Sequence, residues 1–408
     1  MTLAHALAYN PPLPNPRLKP GLALLLTFLL IEFLDELVFG VREAAWPLIR
    51  DDLGLSYIQI GLLLSLPDLF ASLVEPFFGI LADQGRRRLL ILGGGLAFTL
   101  ALAWVSTTGS FLPLLVSFLL LYPASGAFVS LSQSALMDSA PERHDHNMAR
   151  WTFAGSLGVV AGPLLLSLFL LLELGWRPLF AILAGLSLFG VLAAARLSFL
   201  RTSDHRNSRA AIDLWQGLKT ALRSLRNREV LRWLTLLEFS DLMLDVLYGF
   251  LALYFVDVVG RTPQEAALGV TVWAGVGLLG DFLLIPLLEK VDGLRYLRWS
   301  VRIELVLFPL FLLLEPFGWK LLVLGVIGLF NSGWYAILKG RLYTAMPGQS
   351  GTVLAVDNLF GMFASFIPLL LGLVAERWGL DVTMWMLLAG PLALTIGLPS
   401  TRKPALGE

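Results

Sequence analysis

Long apolar runs alternate with short polar segments along most of the chain. A bilayer core needs about 20 apolar residues per helix, and most of the runs between Pro, Gly and charge clusters approach or exceed this length. Six runs lie in the first half, at 21–41, 57–79, 89–107, 111–138, 150–173 and 178–197. Six more lie in the second half, at 232–257, 265–288, 297–315, 319–343, 352–375 and 380–398. The pattern predicts an all-α membrane protein with twelve transmembrane helices.

The second half of the chain repeats the first. The segment Glu32–Asp35 matches Glu238–Asp241, and Pro141 matches Pro347; 238 minus 32, 241 minus 35 and 347 minus 141 all equal 206. Many membrane transporters consist of two such repeats, with their binding sites near the bilayer midplane between them. We therefore predict two pseudo-symmetric bundles of six helices, at 21–197 and 232–398.

The segments outside the bundles are polar or rich in proline. They are an N-terminal segment, 1–20, a C-terminal tail, 399–408, and a linker, 198–231. Within the linker, apolar residues share one helical face: Ile212, Trp215, Leu218, Leu222 and Leu225. This face suits a helix on an anionic membrane surface or a solvated linker helix, and both remain open. The first apolar run is too long for a cleaved signal peptide, so we expect it to be retained.

The distribution of basic residues predicts the orientation in the membrane. With a cytoplasmic N-terminus, the outer loops hold six of the 30 Lys and Arg residues: Arg42, Arg50, Arg177, Arg261, Lys320 and Arg377. Cytoplasmic loops carry the excess of Lys and Arg in membrane proteins. We predict a multi-pass protein of the plasma (inner) membrane with both termini in the cytoplasm and with lipid as its solvent.

Composition excludes several classes of function. Hydrophobic residues make up 57% of the chain and charged residues 15%, and mean hydropathy is +0.76. The net charge of zero gives no indication of a nucleic-acid partner. Without cysteine there are no disulfides and no thiolate metal ligands. No phosphate-binding loop or nucleophile–base motif occurs, so the sequence predicts neither an enzyme nor a cofactor other than coupling protons.

A glycine- and arginine-rich loop joins the second and third predicted helices. It contains Gly79, Asp83 and Gly85, followed by Arg86 and Arg87. Gly79 permits a close approach to a neighbouring helix, Asp83 suits a facing helix N-terminus, and Gly85 supplies a turn. The arginines suit lipid headgroups.

This loop resembles the signature G-x-x-x-D-x-x-G-R-[RK]-[RK] of the major facilitator superfamily. The second half keeps a partial copy, with Asp292 and Arg295. The resemblance implies twelve helices in two halves, a midplane cavity lined by helices 1, 4, 7 and 10 among others, and a monomer. It also implies that Asp83 latches the halves together in one state and releases them in the other.

A second element, in helix five, resembles one found in drug–proton antiporters of that superfamily. It consists of Gly158, Gly162 and Pro163. The resemblance implies that these residues shape a bend that seals the cavity. Such antiporters also carry an arginine within helix four, close to the proton site. Helix four of this chain has no basic residue, which puts a relay built on that arginine in doubt.

Acidic residues lie inside apolar runs of both halves. Those predicted to bind substrate or protons are Glu32, Asp35 and Glu36 in helix one, Asp68 in helix two, and Glu238, Asp241 and Asp245 in helix seven. A charge at bilayer depth costs at least ~2.5 kcal/mol on the insertion scale, so such residues are expected to face a cavity and serve function.

Cations that could neutralise these acids are scarce in the predicted spans. Lys339 and Arg341 lie near the end of helix ten, and Arg302 lies near the start of helix nine. Crowded carboxylates in a low dielectric do not all ionise, so we expect some to hold protons and exchange them for a cation. Weaker candidates for lining the cavity are Tyr122, Gln133, Asn331, Trp334 and Tyr335.

The sequence favours a secondary transporter that exports a cationic or amphipathic small molecule in exchange for protons. A proton-driven importer of sugars or metabolites is an alternative, although few Asn and Gln residues lie in mid-span. The carboxylates also suit a hard divalent metal ion, while the absence of cysteine and of histidine at depth disfavours softer metals. A membrane receptor or scaffold without transport is the hypothesis from another class.

Overall fold

The computed structural model describes residues 21–139, 144–197, 223, 225–346 and 350–399, and these residues form helices and no strands. In the first half the helices are α1 (Leu22–Leu53), α2 (Tyr57–Leu81), α3 (Arg87–Thr107), α4 (Phe111–Ser139), α5 (His144–Leu171) and α6 (Trp176–Ala195). In the second half they are α7 (Arg228–Asp257), α8 (Pro263–Leu288), α9 (Gly293–Leu313), α10 (Phe317–Ala345), α11 (Ser350–Ala364 and Ile367–Trp378) and α12 (Leu380–Gly397). The predicted linker helix around Ile212 and Trp215 lies outside the described residues.

The predicted twelve-helix fold is confirmed. Ten of the helices are long and apolar enough to cross a membrane. The other two, α1 and α9, carry more charged residues, which include Asp35 and Glu36 in α1 and Arg298 and Arg302 in α9. Short connections join the helices within each half, so successive helices reverse direction. We call the face where α1 begins the terminal face, and the face where α1 ends the opposite face.

The repeat extends to the ends of the helices. Adding 206 to the first residue of each of α1 to α5 gives the first residue of each of α7 to α11. Ser56 begins α2 with a capping box that includes Gln59, and Thr262 begins α8 with the same device and Glu265. The two halves therefore share one backbone plan, and α2 and α8 also share the same cap.

The first helix is longer than the sequence predicted. It continues through Arg42, Glu43 and Pro47 to Leu53, whereas the prediction ended it at residue 41. Arg42 and Glu43 form a buried ion pair within the helix, so these charges do not require a loop in water. The assignment of Arg42 to an outer loop is therefore wrong.

Interruptions occur in α4, α7 and α10, and also in α11 and α12, at residues 365–366 and 387–388. In α4 the segment Gly126–Ser130 forms a π-helical turn, and in α7 the segment Leu242–Val246 does the same. In α10 the helix breaks at Gly333, which has a φ of 74°. The amide of Asn331, just before this break, donates to the carbonyl of Met243 at 2.9 Å. Because π-helical turns are frequent at functional sites, these interruptions direct attention to the region between the halves.

On the opposite face, a buried lysine ties three helix ends of the second half together. Lys320, near the start of α10, donates to the carbonyl of Phe311 in α9 at 2.6 Å and to the hydroxyl of Tyr254 in α7 at 3.0 Å. The ammonium group thereby satisfies a carbonyl that the end of α9 leaves without a helical partner.

Candidate functional site

A central chamber of about 490 Å³ lies where the two halves meet. Residues of α1, α2, α4, α7, α10 and α11 line it, together with Phe98 of α3. Its acidic lining residues are Asp35, Glu43, Asp68, Glu75, Glu238, Asp241, Asp245 and Asp357. Arg42 is the basic residue among the lining residues that the structure describes. The chamber therefore combines carboxylates of both halves with a large excess of acid over base.

Several of these carboxylates have a polar partner. The Ser125 hydroxyl of α4 donates to Asp35 at 2.8 Å. The Ser365 hydroxyl of α11 donates to Asp68 of α2, a contact between the halves. Lys339 of α10 forms an ion pair with Asp357 of α11. These partners orient single carboxylates and leave most of the negative charge of the chamber without a basic partner.

Arg42 forms a second charged cluster at the edge of the chamber. It is 6% exposed, and its guanidinium group donates to Glu43 and to the Tyr122 hydroxyl of α4. The guanidinium carbon lies 4.7 Å from the ring centre of Phe39, and Glu43 also accepts from the indole N–H of Trp46 at 2.9 Å. The sequence analysis found cations scarce among these acids but did not include Arg42, which it assigned to an outer loop.

The adjacent opposite charges of Arg42 and Glu43, inside an otherwise apolar stretch, were the signal that sequence reasoning missed. In sequence, an arginine followed by a glutamate suggests the polar end of a membrane span. When the two side chains pair, the same residues are compatible with a continuous helix. The contact with Tyr122 also brings an arginine to α4, although that helix has no basic residue of its own.

The predicted acids do not all reach the same place. Asp35, Asp68, Glu238, Asp241 and Asp245 line the central chamber. Glu36 lines a neighbouring lateral chamber of about 1130 Å³, which also receives Asp35 and Asp245. Asp281 of α8 lies there as well and accepts from the backbone N–H of Gly333 at 3.2 Å.

Glu32 departs from its prediction. It is buried and lines neither chamber. It packs against α5, where one of its oxygens would lie 2.6 Å from a Cβ added at Gly155. Because helical position alone does not reveal which neighbour a side chain meets, the sequence grouped Glu32 with the chamber acids.

Of the five weaker polar and aromatic candidates, three line a chamber and two do not. Tyr122 lines the central chamber, Asn331 the lateral one, and Tyr335 both. Gln133 lies outside both, with its amide 3.6 Å from the sulfur of Met148. Trp334 is fully buried and donates to the Ser300 hydroxyl of α9 at 2.8 Å, so its placement in the cavity is wrong.

The loop between α2 and α3 differs in part from its predicted geometry. Gly85 has a φ of 86°, which confirms the turn. Among the described residues, none lies within 4 Å of a Cβ added at Gly79, so they show no close approach at this position. Arg87 is buried and forms an ion pair with Asp138 of α4 at 2.5 Å, while Arg86 is exposed. The side chain of Asp83 lies outside the described part of the chain.

The glycine element of α5 packs against α1. A Cβ added at Gly158 would lie 2.5 Å from the Phe33 carbonyl oxygen, and one at Gly162 would lie 2.6 Å from the Val41 nitrogen. Pro163 approaches Gly40 of α1 in the same contact. Small residues allow this close helix approach, so the element joins two helices of one half.

The partial second copy of the loop lies at the start of α9. Asp292 accepts from the backbone N–H of Arg295 at 3.1 Å and therefore caps the helix. Its carboxylate also accepts from Arg341 of α10 at 3.0 Å. The side chain of Arg295 is exposed.

On the opposite face, polar contacts between the halves close the chamber. Arg50 at the end of α1 forms an ion pair with Asp257 at the end of α7, and the Tyr57 hydroxyl donates to the same carboxylate at 2.5 Å. The backbone N–H of Tyr57 also donates to Glu376 of α11 at 2.8 Å.

Below these contacts, α2 and α11 approach closely. A Cβ added at Gly61 would lie 2.8 Å from the backbone of Leu369, and the backbone N–H of Leu369 donates to Ser65 at 3.0 Å. Towards the terminal face, by contrast, the lateral chamber extends as far as Met148 and Leu288, which lie near the ends of α5 and α8. The structure is therefore closed on one face and has its chambers on the other side of that closure.

Comparison with known proteins gives consistent matches along most of the chain. The family profile described as Major Facilitator Superfamily matches residues 28–368. The fosmidomycin resistance protein of Escherichia coli (strain K12) is 24% identical over 386 residues, which cover 91% of this chain and 92% of that protein. The quinolone resistance protein NorA of Staphylococcus aureus (strain COL) is 22% identical over 346 residues, which cover 81% and 85% respectively.

Solved structures share the fold. A mutant of the nucleoside transporter NupG has a TM-score of 0.77 at 14% identity, covering 92% of this chain and 98% of that one. A bacterial homologue of the human lysosomal transporter Spinster, in an inward-facing and occupied conformation, has a TM-score of 0.65 at 17% identity, covering 92% and 91%.

Proposed function

The chain belongs to the major facilitator superfamily, and on this premise we propose that it exports a cationic or amphipathic small molecule in exchange for protons. Membership makes it a multi-pass membrane transporter and not an enzyme. The proposal goes beyond family membership in naming the substrate class, the coupling ion and the direction of flux. It is supported by the charge of the central chamber, by the closure of one face and by the names of the relatives.

The observation that carries the proposal is the excess of carboxylates in the central chamber. Asp35 and Asp241 occupy equivalent positions of the two halves and both line this space. Bringing several carboxylates together in a low dielectric favours proton uptake when no cation is present. Binding of a cationic substrate favours the ionised carboxylates instead, so substrate and protons compete for the same groups. This competition is the basis of exchange.

The arrangement of open and closed faces supports alternating access. Both termini are proposed to be cytoplasmic because the basic residues concentrate there. The terminal face is then the cytoplasmic face, and the contacts among Arg50, Tyr57 and Asp257 close the outer one. A compound entering from the cytoplasm reaches the carboxylates of the chamber before it reaches the closed outer contacts. Breaking the outer contacts would then release it outside.

The relatives support export over import. The two named above are called resistance proteins for fosmidomycin and for quinolones, in bacteria. Resistance by transport requires removal of the compound from the cell. These names concern those proteins, and their substrates are not carried over to this chain.

The proposal is tested with purified protein in proteoliposomes. A panel of cationic dyes is added, and substrate-dependent proton movement is measured with a pH-sensitive fluorophore inside the vesicles. Asp35→Asn and Asp241→Asn are each expected to uncouple dye movement from proton movement. Glu173→Gln, at an exposed loop of the opposite face, is the matched control and should behave as the unmodified protein.

Two results would contradict the coupling scheme. One is full proton dependence of transport in both aspartate variants. The other is the absence of proton movement with every dye, while dye is still transported by the unmodified protein.

A further inference from the structure

The outer side of α9 carries basic residues within a membrane-spanning helix. Arg295, Trp299 and Arg302 follow one another at spacings of four and three residues, so they lie on one side of the helix. All three are exposed, and we call them the basic stripe. Val306 and Leu313, 67% and 69% exposed, continue the same side towards the opposite face. This side of α9 is therefore basic near the terminal face and apolar deeper in the bilayer.

The depth of the basic stripe makes its charge unusual. Arg302 lies nine residues after Gly293, the first residue of α9, which is about 14 Å along the helix at 1.5 Å per residue. A charge that faces hydrocarbon is costly, and an arginine lowers this cost by extending its guanidinium group towards the headgroups. Tryptophan concentrates at the same headgroup level. The guanidinium carbon of Arg302 lies 6.0 Å from the ring centre of Trp299, so both side chains share this boundary.

Neither arginine of the basic stripe forms an ion pair with an acid in the part of the chain that the structure describes. Glu304, on the same helix, is 0% exposed and lies on the inner side. Asp292 at the start of the helix is paired with Arg341. The neighbouring Arg298 donates to the carbonyl of Pro399 at 3.0 Å and so contacts the end of α12. The stripe therefore presents two positive charges to the lipid, and the described residues supply no negative charge to either.

The equivalent side of α3 shows that the fold itself does not require the basic stripe. By the shift of 206, the three positions of the stripe correspond to Leu89, Gly93 and Leu96. Leu89 is 69% exposed and Leu96 is 48% exposed, so this side of α3 also faces lipid. Apolar side chains suffice there for contact with acyl chains. The charges on α9 therefore serve a contact that α3 does not make.

We propose that the basic stripe binds the phosphate of an anionic phospholipid. Arg295 and Arg302 donate to the phosphate oxygens from its two sides, and the acyl chains lie along Val306 and Leu313. Charge-assisted hydrogen bonds from guanidinium groups to phosphate are among the stronger hydrogen bonds of proteins. A headgroup with net negative charge is preferred over a zwitterionic one, because the stripe has no acid to receive an amine or choline group. The site lies on the outer surface, apart from both chambers, and is independent of the transported compound.

A fluorescent label beside the basic stripe reports which lipid binds there. The chain has no cysteine, so Val306→Cys places a single label next to the stripe, and Leu100→Cys places one at the repeat equivalent on α3. The two native side chains are 67% and 65% exposed, which makes the sites comparable. The full-length protein in phosphatidylcholine nanodiscs receives an equal, small fraction of brominated phosphatidylglycerol or brominated phosphatidylcholine. Bromine quenches the label on contact, so the ratio of quenching gives the lipid preference at each site.

We expect a preference for phosphatidylglycerol of at least about tenfold at Val306→Cys and none at Leu100→Cys, since each arginine near an anionic headgroup contributes about fivefold. Arg295→Gln and Arg302→Gln should each lower the preference about fivefold, whereas Arg302→Lys keeps the charge and should retain most of it. Arg377→Gln is the matched control, because it removes an exposed arginine beside an exposed tryptophan on the opposite face. It should leave the preference unchanged.

Equal quenching by the two lipids at Val306→Cys would overturn the proposal, and so would an equal preference at Leu100→Cys. A preference that survives the double substitution Arg295→Gln and Arg302→Gln would also overturn it. If those variants do not fold, salt tests the unmodified stripe: the preference should fall as the salt concentration rises, and a constant preference would contradict the attraction of charges. Disulfide cross-linking of two copies through unlabelled Val306→Cys would assign this side to a protein contact and overturn the lipid site.

Discussion

The two halves share a backbone but differ in chemistry at equivalent positions. Arg42 and Glu43 of α1 correspond, by the shift of 206, to Tyr248 and Gly249 of α7. In the first half these positions hold a buried ion pair, and in the second they hold an aromatic ring and a glycine. A Cβ added at Gly249 would lie 3.4 Å from a Glu43 oxygen, so the equivalent positions of the two halves meet each other. The repeat places these positions face to face with different side chains.

Glu32 and Glu238 are equivalent glutamates of the repeat, but only Glu238 lines the central chamber. Gly155 faces Glu32, and its equivalent Gly361 faces Glu238. An added Cβ would lie 2.6 Å from the Glu32 oxygen in the first pair and 4.0 Å from the Glu238 oxygen in the second. The looser contact leaves Glu238 in the chamber, whereas the tighter one holds Glu32 against α5. Packing between helices, and not position along the repeat, decides which acid reaches the chamber.

Removing the charge of Arg42 should have the largest effect. Arg42→Leu leaves Glu43 buried without its partner, and is expected to lower the free energy of unfolding by about 3–5 kcal/mol. The measurement is denaturant or thermal unfolding of the purified protein. Replacing both Arg42 and Glu43 by leucine should recover most of the loss, because the unpaired charge is then gone.

The equivalent change in the second half provides the contrast. Tyr248→Phe removes a hydroxyl without a described partner and should change stability by less than about 1 kcal/mol. Equal losses from Arg42→Leu and Tyr248→Phe would contradict the different roles assigned to the two positions.

Gly158→Ala should destabilise the first half, although the second half already carries Ala364 at the equivalent position. The new methyl group would press on the backbone of Phe33 and Leu37, which cannot give way as a side chain can. Overpacking of this kind costs about 1–3 kcal/mol, measured as a lower unfolding midpoint. Gly361→Ala is the control, since its methyl group has room; a similar loss there would show that helix context, not the contact with α1, is responsible.

Glu238→Gln should affect transport more than Glu32→Gln. Glu238 lines the central chamber and Glu32 does not. We expect about a tenfold loss of kcat/KM for a transported cation in the first variant, equivalent to about 1.4 kcal/mol, and little change in the second. Initial rates of uptake into proteoliposomes give the comparison. The reverse order would mean that the buried glutamate, and not the lining one, carries the substrate or the proton.

Asp257→Asn should have a smaller effect than Arg42→Leu, Gly158→Ala or Glu238→Gln. It weakens the ion pair with Arg50 that joins the halves, a partly exposed contact worth up to about 1 kcal/mol. The population that is open at the opposite face should therefore rise about threefold. The chain has no cysteine, so a single Leu64→Cys in the chamber reports access by its rate of labelling from the opposite face. Asp51→Asn is the matched control.

Asp51 is the repeat equivalent of Asp257, contacts the same arginine and lies in the same half as that arginine. Its loss breaks no contact between the halves. Equal labelling in the two variants would contradict a role of Asp257 in closing the opposite face.

The helices were largely predictable, because each apolar run is bounded by its own polar residues. The starts of α2 and α4 at Tyr57 and Phe111 agree with the predicted runs. The end of α1 was not predictable. The adjacent charges of Arg42 and Glu43 suggested a helix end in water, and only the structure shows that they pair inside the helix. Local pattern suffices where a helix ends in water and fails where two charges satisfy each other inside the membrane.

The lining of the chamber was predictable only in part. Asp35 and Asp241 follow from their depth in apolar runs. The burial of Trp334 on Ser300 and of Glu32 beside Gly155 depends on contacts between helices distant in sequence, which periodicity does not contain. The lateral chamber has no sequence signal at all, because its wall joins residues from both halves.

The ammonium group of Lys320 has a mechanical consequence for the closure on the opposite face. It fastens the ends of α7 and α9 to the start of α10, and Asp257 lies one helical turn beyond Tyr254 in this knot. Arg50 therefore contacts a block of three joined helix ends through the carboxylate of Asp257. We expect loss of this ion pair to release the three ends together, because Lys320 keeps them joined to one another.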